Sequence, residues 1–322
     1  MSRAAISVAL CTYNGERYLT EQLASISAQT LLPDEVVVCD DASTDGTLAI
    51  VEQFAQQSPF PVRVRVNQQN IGSTKNFESA IRLCEGDIIV LSDQDDVWKS
   101  HKIERLVGHL HDHPARGFVF SDAVCVNENR IPLGYTLWRA IAFTHKDRER
   151  LGADTLFFEL LRRNVVTGAA MAFRSQFRSL VLPIPETWVH DAWIAMIISA
   201  VANGGWIDEP LIEYRQHGSQ QIGDKLRTLY HEYRVAQNMT LSTFERGRIN
   251  FVHARSRLGT MEGVSRHKME ALVDKIVHVS ERCAMRCEKG WRFPAVLREA
   301  VTGRYSRYSQ GWKAICQDLL LQ

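Results

Sequence analysis

Apolar residues recur along residues 1–125 in two alternating rhythms. Ile6 to Cys11 forms a short apolar run, and Leu19, Leu23 and Ile26 follow at helical spacing. Pro33 and Asp34 then break the chain ahead of a second run, Val36 to Cys39. Leu48, Val51, Phe54 and Ala55 mark another helical face, and Val62, Val64 and Val66 alternate with Arg63 and Arg65 as a half-exposed strand does. Phe77, Ala80, Ile81 and Cys84 are helical again. Ile88 to Leu91 reads as a buried strand, Ile103, Leu106, Val107 and Leu110 as a helix, and Phe118 to Phe120 as a further strand. Such alternation predicts an α/β fold with a mostly parallel sheet and helices on both faces.

Residues 126–225 are mixed in pattern. Val165 to Phe173 is expected as a strand, His190 to Val201 as a helix and Leu211 to Tyr214 as a short strand. From residue 226 the pattern is helical, with Met269, Leu272, Ile276, Val279 and Cys283 on one stripe that suits a core or a homodimer seam.

Ligands of parallel sheets bind beyond the carboxyl ends of the strands, which directs attention to three polar clusters. Thr12-Tyr13-Asn14-Gly15 follows the first strand, Asp40-Asp41-Ala42-Ser43-Thr44-Asp45-Gly46-Thr47 the second, and Ser92-Asp93-Gln94-Asp95-Asp96 the run Ile88 to Leu91. Carboxylates crowded as Asp93, Asp95 and Asp96 are repel one another unless a cation or solvent separates them. Asp-x-Asp on a turn can aim two carboxylates at one Mg²⁺ or Mn²⁺, ions that take few protein oxygens plus substrate phosphates. The plainer reading is a solvated acidic turn before a helix. Asp41 could accept the imide N–H of uracil or thymine, Tyr13 could pack on the base or join the core, and Asp45 or Ser43 could cap the helix near Thr47.

Composition narrows the function. The 322 residues carry 38 basic and 37 acidic side chains, a net charge of +1, without the basic excess of a nucleic-acid binder. Apolar residues at 45% and charged ones at 23% are ordinary for a globular chain. The longest apolar stretch, Ala192 to Ala202, is short of the ~20 residues of a membrane span. The seven cysteines read as thiols of a reducing compartment, and the expected location is the cytoplasm.

Four segments in order carry a family resemblance. Ile6 to Gly15 with Tyr18-Leu19, Val36 to Thr47, Asn70-Ile71-Gly72 with Asn76, and Leu91 to Trp98 resemble motifs of family 2 glycosyltransferases, the last being similar to their DxD motif. Thr167-Gly168-Ala169-Ala170 resembles the acceptor-side loop, and His190-Asp191-Ala192-Trp193 stands where the family carries its base. Tyr214 to Gln220 is similar to the Tyr-Arg-x-His-Gly-x-Asn segment of bacterial rhamnosyltransferase-like members, with Gln220 in place of Asn.

The resemblance implies a GT-A fold over residues 1–225, with a nucleotide-sugar-binding half at 1–125 and an acceptor-side half at 126–225, followed by a helical region at 226–322. It implies an inverting transfer from a nucleoside-diphosphate sugar, dTDP-rhamnose as the best match and UDP as the other candidate carrier. The acceptor would be a hydroxyl of a saccharide or lipid-linked saccharide in surface polysaccharide synthesis. Thr12, Tyr13, Asn14, Asp41 and Asp93 would hold the nucleotide. Asp93 and Asp95, with His217, would hold Mg²⁺ or Mn²⁺, and Asp191 would be the base. Thr167, Gly168, Trp98 and His190 would line the sugar sites. A bare helix-start role for Asp191, a core role for Trp98 or Trp188, and a structural His217 are the alternatives. So are an inactive nucleotide-sugar-binding scaffold and a nucleotidyltransferase, although the latter would usually show a Gly-rich loop with a basic residue after the first strand.

The C-terminal stretch interleaves Trp291, Phe293, Tyr305, Tyr308 and Trp312 with Arg286, Lys289, Arg292, Arg298, Arg304, Arg307 and Lys313, against Glu288, Glu299 and Asp318. That composition fits either peripheral contact with an anionic inner membrane face or a helical unit packed on the catalytic domain.

Overall fold

The computed structural model describes residues 3–152, 154–218, 239–287 and 292–320. Of the residues singled out above, Ser219, Gln220, Glu288, Lys289 and Trp291, and the expected boundary between 225 and 226, lie outside them.

The chain opens with β1 (Ile6–Thr12), α1 (Leu19–Ser27), β2 (Glu35–Asp40), α2 (Thr47–Gln57), β3 (Val62–Val66), α3 (Ser73–Leu83) and β4 (Ile88–Ser92). These strands lie in the order β3-β2-β1-β4 and all pair in parallel. β1 and β4 are buried along their whole lengths, which is why they read as continuous apolar runs. β3 is the sheet edge, and its alternating arginines keep that edge solvated.

β5 (Val97–Trp98), α4 (Lys102–Asp112), β6 (Arg116–Asn127) and β7 (Pro132–Thr136) come next. The short helices α5 (Leu137–Ala140) and α6 (His145–Arg150) and the helix α7 (Leu156–Arg162) lead to β8 (Met171–Arg174). After α8 (Arg178–Val181), α9 (His190–Val201) and β9 (Asn203–Gln216), the sheet continues from β4 as β8-β6-β9-β5, with β7 beside β6. Here the pairing is mixed: β8 runs antiparallel to both β4 and β6, β9 is parallel to β6, and β5 is antiparallel to β9. The parallel expectation thus describes the first half of the sheet.

Two strands depart from their expected spans. Val165 to Phe173 yields a strand only from Met171, behind a 3₁₀ turn at Gly168–Ala170. The Asn164 side chain bonds both the N–H and the C=O of Val166, and Gly168 N–H goes to Asp191, so side chains replace the ladder. β9 is longer than Leu211 to Tyr214, because register shifts around Asp122 accommodate Pro210 within its pairing to β6.

The C-terminal helices are α10 (Leu241–Gly259), α11 (Arg266–Cys287), α12 (Phe293–Val301), α13 (Arg304–Tyr308) and α14 (Trp312–Leu320). α10 and α11 pack on the α/β layer, where Trp188 Nε1 donates to Asn250 O at 2.9 Å, Arg257 to Leu180 O and Leu182 O at 2.8 Å and Lys268 to Ser199 O at 2.8 Å. The inward face of α11 includes Leu272 and Val279 but also Lys275, His278 and Arg282. Of the expected stripe Leu272 and Val279 are buried and Met269, Ile276 and Cys283 half-buried; the buried Lys275, His278 and Arg282 bond to Tyr308 O, Glu299 and Asp318 on α12 to α14. Among the described residues no helix is long and apolar enough to cross a membrane.

Candidate active site

Register brings the three polar clusters to one rim: Thr12 lies opposite Asp40, and Leu10 opposite Ser92. Gln94 binds the Tyr13 peptide from both sides, accepting from its N–H at 2.7 Å and donating to its C=O at 3.0 Å. The Tyr13 side chain is exposed beside this clamp. Asn14 takes a positive φ of 47° and accepts from Thr44 N–H at 2.8 Å.

The two acids after β2 divide their work. Asp40 is fully buried and accepts from Thr12 Oγ1 at 2.7 Å, Ser43 N at 2.8 Å and Ser43 Oγ at 2.6 Å, so it shapes the turn. Asp41 accepts from Asn67 Nδ2, Ile71 N and Gly72 N, each at 2.9 Å. A carboxylate has about four acceptor positions, so Asp41 retains one while it holds the β3–α3 loop. Gly72 has φ +82°, a conformation that favours glycine and that turns its N–H toward Asp41. Asp45 accepts from Thr47 N–H at 3.0 Å at the start of α2.

Beyond β4 the chain turns through Asp93, Asp95 and Asp96 and enters β5. Gln22 on α1 braces this turn: with its amide oriented to suit its neighbours, it donates to Asp96 O and accepts from Trp98 Nε1 and Ser92 Oγ. Asp96 and Lys102 are both fully buried, and burial pushes the Asp96 carboxyl up and the Lys102 amine down. Lys102 donates to Ala169 O at 2.6 Å and lies 3.6 Å from the Trp98 ring centre. Trp98 is only 4% exposed. Its ring is part of this brace, the core alternative, and does not offer a sugar platform; Trp188 is likewise buried, against Trp193 and Phe251.

β5 pairs with β9, and the end of β9 closes on the acidic turn. Arg215 N donates to Asp96 Oδ1 at 3.1 Å, and its guanidinium reaches Asp95 O at 2.8 Å, Glu128 O at 2.5 Å and Glu21 at 2.8 Å. His217 Nε2 lies 2.9 Å from Asp95 Oδ2. Gln22, Lys102 and Arg215's partners escaped sequence reasoning, since each acts on residues 67 or more positions away.

The opposite wall is the start of α9. Asp191, in its first turn, accepts from Gly168 N at 2.9 Å, and the helix N-terminus favours its negative charge. His190 stacks on Phe77 with ring centres 3.8 Å apart and is held neutral by burial, which pushes its pKa down to about 3. Neither His190 ring nitrogen has a hydrogen-bond partner among the described residues. A Cβ on Gly168 would come within 2.5 Å of His190 Nε2, so glycine is required for this approach. Thr167, half-buried, precedes it.

The two walls meet electrostatically. Burial, then the charges of Asp95 and Asp191, push Asp93 up to about 7, with Lys102 opposing. Among the described residues no three His, Cys, Asp or Glu side chains form a metal cage by themselves. The donor set of Asp93, Asp95 and the adjoining His217 suits instead a hard ion completed by phosphate oxygens, and such an ion would relieve the crowding that raises Asp93.

The sequence profile described as Glycosyl transferase family 2 matches residues 7–167. The dTDP-rhamnosyl transferase RfbG of Shigella flexneri is 30% identical over 224 residues, 66% of this chain and 73% of that one. An uncharacterised glycosyltransferase of a Nostoc species is 36% identical over 102 residues, only 32% of this chain and 31% of that one. Among solved structures, S. aureus TarS 1–349 in complex with UDP-GlcNAc superposes with a TM-score of 0.60 at 15% identity, covering 94% of this chain and 81% of that one.

Proposed function

The chain belongs to glycosyl transferase family 2 and has its GT-A fold, and from that premise we propose that it transfers a sugar from a nucleoside diphosphate to an acceptor hydroxyl with inversion. The observation that carries this reading is the facing of Asp191, at the α9 N-terminus, and Asp93, after β4, close enough for their charges to interact.

Asp191 is the base in this scheme. The Gly168 N–H directs its carboxylate, and the positive end of the helix dipole lies beside it. The acceptor oxygen attacks the anomeric carbon, the bond from that carbon to the diphosphate oxygen breaks, and the hydroxyl proton goes to Asp191. Direct displacement needs no enzyme nucleophile. Thr12, Tyr13, Asn14 and Asp41 form the nucleoside end of the cleft; the remaining acceptor position of Asp41 suits an imide N–H of thymine or uracil. Asp93 and Asp95, with His217, would hold Mg²⁺ or Mn²⁺. When bound, the ion supplies charge neutralisation at the departing diphosphate. Gly168, Thr167 and His190 would line the acceptor side.

The donor assigned is dTDP-rhamnose. It is supported by the similarity to the Shigella rhamnosyl transferase and by the Tyr214-Arg215-Gln216-His217-Gly218 segment. A saccharide or lipid-linked saccharide acceptor follows from the same likeness.

The test is release of nucleoside diphosphate from dTDP-, UDP- and GDP-sugars, with Mg²⁺, Mn²⁺ or chelator. Asp191→Asn is expected to lower turnover by about 10²–10⁴-fold while nucleotide binding and folding persist. Undiminished turnover in this variant removes Asp191 from the role, and turnover unaffected by chelator removes the metal.

A further inference from the structure

Four polar side chains at the start of α1 face the acidic turn and the strands beside it. Tyr18 stands just before the helix, and Glu21, Gln22 and Ser25 follow at helical spacing. Three of them are engaged there. Glu21 accepts from the Arg215 guanidinium at 2.8 Å, Gln22 braces Asp96 O and Ser92, and Ser25 Oγ accepts from Trp98 N at 3.0 Å. The Tyr18 hydroxyl is buried and has no hydrogen-bond partner among the described residues. An interior hydroxyl without a partner costs stability that a phenylalanine ring would not, so packing gives no reason for the oxygen.

The ring itself lies at the end of the cleft where Asp95 and His217 meet. Its centre is 4.8 Å from that of the His217 ring, and the guanidinium carbons of Arg215 and Arg17 lie 4.6 Å and 5.0 Å from it. The loop after β1 fixes this position: Tyr18 N–H donates to Gly15 O at 3.0 Å, and Gly15 N–H to Thr47 Oγ1 at 2.8 Å. Asp95 and Glu128 are close enough for their charges to act on the phenol. Both are already engaged, Asp95 with His217 Nε2 at 2.9 Å and Glu128 with Arg17 at 2.6 Å. An O–H group needs an acceptor, and here the acceptor arrives with a ligand. The ligand group that an ion on Asp93 and Asp95 would draw to this end of the cleft is a diphosphate.

We propose that the Tyr18 hydroxyl donates to a diphosphate oxygen of the nucleotide sugar, a binding contact from the head of α1 besides those of the acidic turn. The hydroxyl is covered in the ligand-free chain, so the contact forms as the side chains packed on it shift to admit the diphosphate. This contact presupposes the nucleotide-sugar reading above and adds to it a group that holds the leaving end of the donor.

Tyr18→Phe removes the oxygen and keeps the ring beside His217. Wild type and variant are to be compared by calorimetry with Mg²⁺ and dTDP or UDP. Ligand-observed NMR with thymidine or uridine, which keep the base and lack the phosphates, supplies the second arm. Loss of a hydrogen bond to a charged group corresponds to about ten- to a hundredfold weaker binding. That loss is expected for the nucleoside diphosphate, with nucleoside affinity unchanged. The melting temperature of the ligand-free variant is expected to equal or exceed that of wild type, since no protein hydrogen bond is removed. Undiminished diphosphate binding in the variant overturns the proposal, as does an equal loss for nucleoside and diphosphate. A lowered melting temperature overturns it too and assigns the hydroxyl to the fold. Failure of the nucleotide-sugar reading is distinct from these results: a wild type that binds no nucleoside diphosphate overturns both.

Discussion

Arg215 connects more of the active site than any acid does. Almost fully buried, it holds the carbonyl of Asp95, the carbonyl of Glu128 and the carboxylate of Glu21, while its own N–H holds Asp96. Charge-assisted bonds of this kind contribute about 1.5–3 kcal/mol each, and they fix where Asp95 points. Arg215→Met is expected to lower stability by about 2–4 kcal/mol in urea titrations and to weaken nucleotide binding by releasing the turn that carries Asp95. Binding that is unchanged would detach the turn's geometry from Arg215. Asp93 offers a pH test with a definite sign. Its pKa is raised from 3.8 to about 7, so the folded protein holds a proton that the unfolded chain has lost. Without a divalent ion, stability therefore falls as pH rises from about 4 to about 7. Asp93→Asn should raise the melting temperature at pH 8, and wild-type affinity for Mn²⁺ with nucleoside diphosphate should increase through pH 7, as calorimetry would record.

At the scale of elements, the cleft is made by two closures. β9 pairs with β5 and carries Arg215 and His217 to the acidic turn, and the Gly168 turn carries a backbone N–H to the head of α9. The second closure allows no spare volume, since a Cβ at Gly168 would collide with the His190 ring that already stacks on Phe77. Gly168→Ala is predicted to push α9 away from the cleft, costing about 1–3 kcal/mol and most of the turnover. Adding His190→Ala should recover part of the lost stability, a coupling that a double-mutant cycle would measure. Simple additivity of the two substitutions would mean that the contact does not limit the position of α9.

The molecule as a whole joins an apolar α/β layer to a helical unit whose interior is largely polar. His278 bonds Glu299 through Nδ1 at 2.7 Å and Ser309 through Nε2 at 2.8 Å, within a cluster that also holds Lys275 and Arg282. Burial, followed by the positive charges of Arg282, Lys275 and Arg304, lowers its pKa from 6.5 to about 3 despite the hydrogen bond to Glu299. Folding therefore excludes a proton that the unfolded chain binds. The associated stability is complete above about pH 6.5 and is lost as pH falls toward 3, a contribution on the order of a few kcal/mol. Hydrogen exchange measured across that window should show α11 to α14 opening before β1, β2 and β4. Simultaneous opening of both regions would show that the sheet, and not this cluster, sets the acid limit.

Much of this was legible along the chain because the evidence was local. β1, β2 and β4 each announce themselves as buried apolar runs, and the polar residues that end them follow within a few positions, so the common rim of Thr12, Asp41 and Asp93 could be inferred from strand order alone. The helix from His190 to Val201 was equally plain. Tertiary structure decided what depended on partners distant in sequence: Arg215 pairing with protein acceptors, Trp98 lying under Lys102, and Asp40 shaping a turn while Asp41 holds a loop. It also decided the face of the C-terminal helices, where composition counted acids and bases together. Periodicity reports which residues share a side of an element, whereas burial depends on what packs against that side. Glu299 and Asp318, two acids that composition would place on the surface, belong to the interior of the unit.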